Sequence, residues 1–285
     1  MSSFPSPARV SLILRLVLSS SPFTCFDFAM KLNLLLTVLS ASLAVAAPIS
    51  PRPVAHNEKR NTPLNTILTI ILNNLPAVNG AIEAVESVIT DFQNLISELT
   101  GISDTYNELG GACTDYTVIY ARGTDDPGNA GVITGPPFFM ALEALVGSSK
   151  VTVQGVNNYA ASVATFLAGG DPVGSASMAS EIEAAYAACP NTNLVASGYS
   201  QGGQVVHNAL ALLPAATVKW ISSVVIFGDP DDGQAIPNMD ASKVDTICHT
   251  GDNICEAGDI ILPAHLTYGE NAAAAAAFVV AHAST

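Results

Sequence analysis

A serine stands between two glycines in the segment Gly198-Tyr199-Ser200-Gln201-Gly202. An apolar run, 194–196, precedes this segment, and a helix-like stretch, 204–213, follows it. A serine hydroxyl is a weak nucleophile at neutral pH, and it becomes reactive when a sharp strand-to-helix turn exposes it beside a histidine. Small residues on both flanks allow such a turn to close. The pattern therefore predicts a nucleophile at Ser200, the alternative being an ordinary turn.

Four histidines follow Ser200, and one of them must be the base if the catalytic groups keep the chain order nucleophile, acid, base. His207 comes about two helical turns along the next helix, too far to reach the serine, and we expect it to be a solvated or capping residue. His249 lies in a cysteine-flanked loop, and His282 lies in the last few residues, where order is often poor. Both places are less suitable for a base. His265 follows a strand-like run in a loop, so it is the predicted base.

Seven aspartates lie between Ser200 and His265: Asp229, Asp231, Asp232, Asp240, Asp245, Asp252 and Asp259. Asp252 differs from the rest because it falls between Cys248 and Cys255, where a disulfide would close a small ring and fix the carboxylate's direction. An orienting aspartate must hold the imidazole in one tautomer and stabilise its cation. However, Gly251-Asp252 is also ordinary turn chemistry. From the residues alone, the choice between Asp252 and the other six stays open.

A polar segment, 122–126, follows the apolar, β-prone run 118–121. In an open α/β sheet, sites assemble at the carboxyl ends of the strands. The hydroxyl and N–H of Thr124 could there donate to the oxygen that becomes negative in a tetrahedral intermediate, an interaction worth about 3 kcal/mol per donor. The alternative is a simple polar turn. For Arg122 we expect a buried ion pair rather than a role in substrate binding.

Four segments, in this order and spacing, resemble the fungal cutinases: 119–124 with 127–129 after it, 198–202, 248–255 and 264–269. The resemblance extends from about Cys113 to the C-terminus. It implies Ser200 as nucleophile, Asp252 as acid and His265 as base, and it therefore favours Asp252 over the other aspartates. The family acts on ester bonds by forming an acyl-enzyme, so the same activity is expected here.

The resemblance also implies an oxyanion hole formed by the backbone N–H of Gln201 and by Thr124. It implies two disulfide bonds, Cys113 with Cys189 and Cys248 with Cys255. From loop length, these bonds would contribute roughly 4.5 and 2.5 kcal/mol. No cofactor and no metal are expected, because the histidines are scattered and the cysteines are better explained as disulfides.

The N-terminal region has the pattern of an exported precursor. Residues 30–47 predict a signal peptide: Met30 and Lys31 precede an apolar core too short for a membrane span, and small residues at 44–46 offer a cleavage site. Residues 1–29 are then an upstream extension or part of the leader, and 48–60 a propeptide ending at a dibasic site. Removing them also removes the odd cysteine, so we expect a secreted, extracellular protein.

The charge distribution excludes some partners. The whole chain has a net charge of −14 at neutral pH. Six basic and two acidic residues lie in the first 60, so the remainder carries about −18. Such a surface repels phosphate backbones, which argues against nucleic-acid binding. The chain also lacks a G-x-x-x-x-G-K-[ST] loop, so nucleotide hydrolysis has no support.

The segment 61–110 is predicted to be a helical extension outside the resemblance. Its apolar residues recur every three or four positions and give one stripe on a helix: Val78, Ile82, Val85, Ile89, Phe92, Ile96 and Leu99. Gly101 ends the pattern. We expect this helix to dock on the side of the main domain, because amphipathic stripes are usually core. The alternative is a pro-region or lid over an apolar site.

Residues 111–285 read as one domain in which strands and helices alternate. The predicted strands are 117–121, 150–154, 193–196 and 223–227, and the predicted helices are 136–145, 175–188, 203–213 and 272–280. Such alternation implies a parallel sheet with helices on both faces. With the resemblance, the expected fold is a three-layer α/β-hydrolase sandwich around a central, mainly parallel five-stranded sheet, without a large cap domain.

The expected function is that of a secreted, monomeric serine esterase acting on cutin, a related polyester or lipid-like fatty acyl esters. Two apolar segments, 135–139 and 260–263, either line the entrance for such a substrate or are simply buried. A second possibility is an acetylxylan esterase, although relatives of that kind carry more cysteines. A third, from another class, is a non-catalytic surface or binding protein that keeps the fold.

Overall fold

The computed structural model describes residues 63–284. The predicted extension 1–29, signal peptide 30–47 and propeptide 48–60 lie outside the described residues. Within 63–284 the strands are β1 (Gly80–Ala81), β2 (Tyr116–Ala121), β3 (Val151–Gly155), β4 (Asn193–Tyr199), β5 (Ser223–Phe227), β6 (Val244–Ile247) and β7 (Ile260–Ile261). The helices are α1 (Leu64–Asn73), α2 (Ile82–Thr100), α3 (Gly135–Val146), α4 (Val163–Leu167), α5 (Pro172–Ala188), α6 (Gln201–Leu212), α7 (Ala215–Trp220) and α8 (Ala272–Ala281).

Five parallel strands form the central sheet in the order β3-β2-β4-β5-β6. Every residue of β2, β4 and β5 is buried, as expected for strands covered on both faces by helices. Successive residues of β2 enter opposite cores: Val118 and Tyr120 pack in one apolar cluster, and Ile119 and Ala121 in the other. The predicted α/β-hydrolase sandwich is confirmed.

One core lies with α3 and α8, and the other with α5 and α6. The four predicted strands are all present in the sheet, and β4 continues three residues beyond its prediction to Tyr199. The fifth, β6, was not among the predicted segments. Its residues are only half-buried at the sheet edge, so it lacks the apolar run that marks the central strands.

The segment before the sheet forms two helices, α1 and α2, with Pro76 between them. Ile71 of α1 and Ile89 and Ile96 of α2 belong to the apolar cluster that contains the β2 residues Val118 and Tyr120. The predicted stripe is therefore largely buried, although Leu99 is half exposed. Gly101 ends α2 with φ 62°, a left-handed conformation that favours glycine.

A short antiparallel pair anchors the start of α2. Residues of β1 pair with β7, Gly80 opposite Ile261 and Ala81 opposite Ile260, and Ile82 N–H donates to Asp259 O over 2.8 Å. The strand-like run before His265 is thus not part of the central sheet. It joins the N-terminal segment to the loop that carries the predicted base.

Candidate active site

Ser200 occupies a strained turn between β4 and α6. Its backbone has φ 56° and ψ −124°, a combination that a non-glycine residue adopts only where its surroundings enforce it. A Cβ on Gly198 would lie 2.3 Å from the Gly202 oxygen, and a Cβ on Gly202 would lie 2.0 Å from the Ala121 oxygen. The glycines of the motif therefore let helix α6 approach β4 and β2 closely enough to form this turn.

His265 and Asp252 form a buried pair. Nδ1 of His265 donates to Oδ2 of Asp252 over 2.8 Å, and the N–H of Ile254 donates to Oδ1 over 3.1 Å. Burial alone would raise the pKa of Asp252, but the hydrogen bond and charge of His265, together with bonds from Tyr268 and Ile254, hold that pKa below its usual value. The carboxylate therefore stays ionised and keeps the Nδ1 proton of His265 in place.

Two disulfide bonds join the pairs that the resemblance implies, Cys113 with Cys189 and Cys248 with Cys255. The second closes the loop that carries Asp252, and the Asp252 N–H donates to the His249 oxygen over 3.0 Å within it. The acid is therefore held by covalent and hydrogen bonds at once.

Ser200 lines the same small cavity as His265. Nε2 of His265 is buried and has no hydrogen-bond partner among the described residues, so its bond to the serine hydroxyl is not formed in this state. Catalytic hydrogen bonds are often long without substrate and tighten in the reacting complex. The structure thus joins the predicted acid to the predicted base and places the predicted nucleophile beside them.

Thr124 lines the same cavity as Ser200, and Gln201 directly follows the serine. Gln201 is the first residue of α6, where backbone N–H groups point out of the helix. Its side-chain amide donates to Thr124 Oγ1 over 2.9 Å and to the Ser162 oxygen over 2.9 Å, and accepts from Thr165 over 2.8 Å. These bonds fix the Thr124 hydroxyl next to the start of α6.

Helix α2 covers this cavity. Ile82, Ile89 and Gln93 form its outer wall, and its volume is about 20 Å³, room for about one water molecule. Our expectation that the helix docks on the side of the domain is therefore wrong. Periodicity correctly indicates the buried face of a helix, but it does not indicate the surface against which that face packs.

Gln93, a residue that the sequence analysis did not single out, connects α2 to the β2 end. Its amide donates to Oδ1 of Asp126, while Gly123 N–H donates to Oδ2 over 2.9 Å. Burial raises the pKa of Asp126 to about 6, although these bonds and the charges of Arg122 and His265 oppose the rise. A polar amide within the apolar stripe, four residues after Ile89, was the available signal.

Two further expectations are corrected. His207 is not a solvated residue: its Nε2 lies 2.9 Å from Oδ2 of the buried Asp229. Arg122 is buried, but it forms no ion pair within the described part of the chain. Its guanidinium instead donates to the carbonyl oxygens of Asp126 and Ala160 and lies over the Tyr159 ring.

The two apolar segments, 135–139 and 260–263, lie in different surroundings. Phe138 and Phe139 of α3 are fully buried and pack edge-on against neighbouring rings of the core, so they do not form an entrance. Ile261 and Leu266, in contrast, line the cavity beside Ser200. The apolar wall of the site therefore comes from the loop that carries the base and from α2.

Two kinds of feature are absent from residues 63–284. No group of three or more His, Cys, Asp or Glu side chains in this range could hold a metal ion. None of the helices in this range is both long enough and apolar enough to cross a membrane.

Enzymes of the α/β-hydrolase class carry their nucleophile on a strained turn after a central parallel strand, with acid and base on later loops. In this chain Ser200 stands on such a turn after β4, and Asp252 and His265 follow on later loops. A family model described as "Cutinase" matches residues 112–283. The chain belongs to the cutinase family and is a carboxylic ester hydrolase, which confirms the resemblance and the expected activity.

Individual relatives agree with the family match. Cutinase pbc1 of Pyrenopeziza brassicae is 50% identical over 202 residues, which cover 71% of this chain and 98% of that protein. Cutinase cut1 of Trichoderma harzianum is 47% identical over 246 residues, covering 86% of this chain and 97% of the relative. The solved structure of Trichoderma reesei cutinase with a C11Y4 phosphonate inhibitor is 50% identical, covers 72% of this chain and 91% of that one, and has a TM-score of 0.66.

Proposed function

We propose that this carboxylic ester hydrolase is a secreted cutinase that cleaves cutin or related fatty acyl esters through an acyl-enzyme on Ser200. The observation that carries the proposal is the shared cavity: Ser200 lines it together with His265, whose Nδ1 is bonded to the buried Asp252 over 2.8 Å. In this scheme Ser200 is the nucleophile, His265 the base and Asp252 the acid that orients it.

The reaction has two steps. The Ser200 oxygen attacks the ester carbonyl while Nε2 of His265 takes the hydroxyl proton, and the tetrahedral intermediate then collapses as that proton passes to the departing alcohol. Water next attacks the acyl-enzyme, again losing a proton to His265, and the carboxylic acid leaves as Ser200 regains its hydrogen. In both steps Asp252 stabilises the protonated imidazole and does not itself take the proton.

The negative oxygen of each intermediate would be bound by the Gln201 N–H and by Thr124. The Gln201 amide occupies a lone pair of Thr124 Oγ1, so the hydroxyl keeps its own proton to donate. The N–H at the start of α6 carries the partial positive charge of a helix end. Each donor is worth about 3 kcal/mol of transition-state stabilisation.

The apolar lining supports a fatty acyl substrate. The cavity walls carry Ile82, Ile89, Ile261 and Leu266, which favour an alkyl chain over an acetyl group. The test compares the release of hydroxy fatty acids from cutin with the release of acetate from acetylated xylan, using Ser200→Ala as the blank. Faster, Ser200-dependent release from cutin supports the proposal. Acetate release alone would instead indicate an acetylxylan esterase, and no release from either would indicate a binding protein.

The cavity beside Ser200 has room for about one water molecule, which is too little for an acyl chain. We infer that α2 moves before an ester binds. The Gln93 amide bonded to Asp126 favours closure. Glu86 of α2 opposes closure. Burial and then the charge of Glu86 raise the pKa of Asp125, so the two carboxylates repel each other. We propose that an ester surface competes for the apolar face of α2 and opens the site.

Gln93→Leu is expected to weaken this closure. A hydrogen bond to a carboxylate is worth about 1.5–3 kcal/mol, so its loss should raise the open fraction roughly tenfold or more. Hydrolysis of dissolved p-nitrophenyl butyrate should increase, and the further increase on adding neutral detergent micelles should shrink. Asn94→Ala, which removes an exposed amide from the next position, is the control and should change neither rate. A slower Gln93→Leu enzyme without any micelle effect would show that α2 is a fixed wall.

We further propose that the protein is exported from the cell and acts as a monomer. Two disulfide bonds are typical of proteins that mature in an oxidising compartment, and they support secretion. All the proposed catalytic groups come from one chain, which supports action as a monomer. Size-exclusion chromatography with light scattering, run on protein secreted from a eukaryotic host, tests both points together.

A further inference from the structure

Tyr268 lies behind the catalytic pair, at a position to which the proposed mechanism gives no role. Its hydroxyl donates to Oδ2 of Asp252 over 2.6 Å, and this oxygen also accepts from Nδ1 of His265. The Tyr268 hydroxyl itself accepts the backbone N–H of His249 over 3.0 Å. One carboxylate oxygen therefore serves the imidazole and a phenol at the same time.

Neighbouring groups fix the Tyr268 ring. It is fully buried, and the His249 ring stacks on it with centroids 4.2 Å apart and an interplanar angle of 22°. The His249 ring is bonded in turn to the Ala264 oxygen and to Asn271. A Cβ on Gly228 would lie 2.7 Å from Tyr268 and 3.0 Å from His265, so the two rings fill the space that a side chain at 228 would need.

The surroundings of Tyr268 keep its phenol protonated well above neutral pH. Burial, followed by the hydrogen bond to Asp252, raises the pKa of Tyr268 far above its usual value. It is therefore a permanent donor. A carboxylate held by two donors can rotate about its Cβ–Cγ bond more freely than one held by three, and Tyr268 is the third after Ile254 N–H and His265.

We propose that Tyr268 is a positioning residue for the reaction: its hydroxyl holds Oδ2 of Asp252 in the plane of His265 and takes up part of the carboxylate's charge. The proposal rests on the roles of Asp252 and His265 given above. Through Asp252, the phenol sets the direction of the imidazole and the strength with which the carboxylate stabilises its protonated form.

The test is Tyr268→Phe, which keeps the ring and removes only the hydroxyl. With p-nitrophenyl butyrate, we expect kcat to fall about tenfold at nearly constant KM, because a charge-assisted hydrogen bond is lost from the reacting unit. We also expect the acidic limb of the kcat/KM profile to move to higher pH. Without the phenol proton, Asp252 directs more negative charge at His265 and stabilises the protonated, inactive imidazole.

Other groups that affect this limb stay constant in the comparison. The charge of Asp126 acts on His265, and the charge of Asp232 acts on Tyr268. Tyr159→Phe is the matched control, since it removes a buried phenol that donates to the Arg122 carbonyl oxygen over 3.0 Å. It should lower the melting temperature but leave the acidic limb in place.

A double-mutant cycle separates this proposal from the catalytic scheme itself. If Tyr268 acts through the carboxylate, Tyr268→Phe should have little further effect in an Asp252→Asn background. A folded Tyr268→Phe enzyme whose acidic limb is unmoved or lies at lower pH would overturn the positioning role, even if stability falls. Activity that survives Asp252→Asn would instead contradict the proposed triad, and the two failures are thus distinguishable.

Discussion

Ser200→Ala is expected to lower kcat/KM for p-nitrophenyl butyrate by about 10⁵- to 10⁶-fold, which corresponds to the loss of a nucleophile from a three-residue unit. Alanine at position 200 tolerates the same strained turn as serine, because neither side chain is β-branched. The residual rate should come from the donors at Gln201 and Thr124, which still bind the developing negative oxygen. Initial rates by absorbance at several enzyme concentrations measure the loss.

Ser197→Ala is the matched control for this experiment. Ser197 lies three residues earlier on β4, is fully buried, and its hydroxyl has no partner among the described residues. Removing it should leave kcat/KM within about twofold, since a hydroxyl without a hydrogen-bond partner takes no part in positioning the site. An active-site phosphonate should label the wild type and the Ser197→Ala enzyme but not the Ser200→Ala enzyme. Labelling at another residue would refute the assignment of the nucleophile.

Two of the groups proposed for catalysis, Ser200 and His265, could be predicted from local chemistry. The elbow at Ser200 requires glycine two residues before and after it, and a Cβ at Gly198 or Gly202 would collide with backbone oxygens. The position of the base after a strand-like run is likewise a local pattern. The acid was not fixed in this way: the residues left seven aspartates, and the ring closed by Cys248 and Cys255 only favours one of them.

The position of α2 depends on long-range packing, and local patterns could not give it. The stripe of Ile82, Ile89 and Ile96 would be the same on a helix beside the sheet and on a helix over the active site. The pairing of β1 with β7 helps to bring that helix to the loop of the predicted base. Two-residue strands carry almost no sequence signal, so this placement is visible only in the folded chain.

The sequence left the surroundings of Phe138 and Phe139 open, and the structure buries both. Phe138 and Phe139 follow two prolines near the catalytic motifs, and chain proximity suggested a substrate entrance as readily as a core. In the structure they lie near the start of α3, where Phe139 packs on Tyr120 and Phe138 on Phe227. Arg122 shows the same limit: its burial was foreseen, but its partners are carbonyl oxygens rather than a carboxylate.

Asp252→Asn is expected to lower kcat by about 10⁴-fold while leaving the fold intact. An amide at this position would present an NH₂ group to Nδ1 of His265, or would have to give up its place between Tyr268 and Ile254. With the NH₂ group facing Nδ1, that nitrogen must accept, and the imidazole carries its proton on Nε2. That is the nitrogen that must accept the proton of Ser200, so the base is lost although every ring stays in position.

Asp259→Asn makes the same chemical change seven residues further on, at an exposed side chain, and should keep activity within about twofold. Its backbone oxygen, which accepts from Ile82, is unaffected. Both variants should be assayed on the alkaline side of the acidic limb, where the lowered pKa of Asp252 keeps the wild-type carboxylate ionised and the Asp252→Asn deficit should not vary with pH. A deficit in Asp259→Asn, or none in Asp252→Asn, would mean that another aspartate orients the base, and that the loop closed by Cys248 and Cys255 only stabilises the fold.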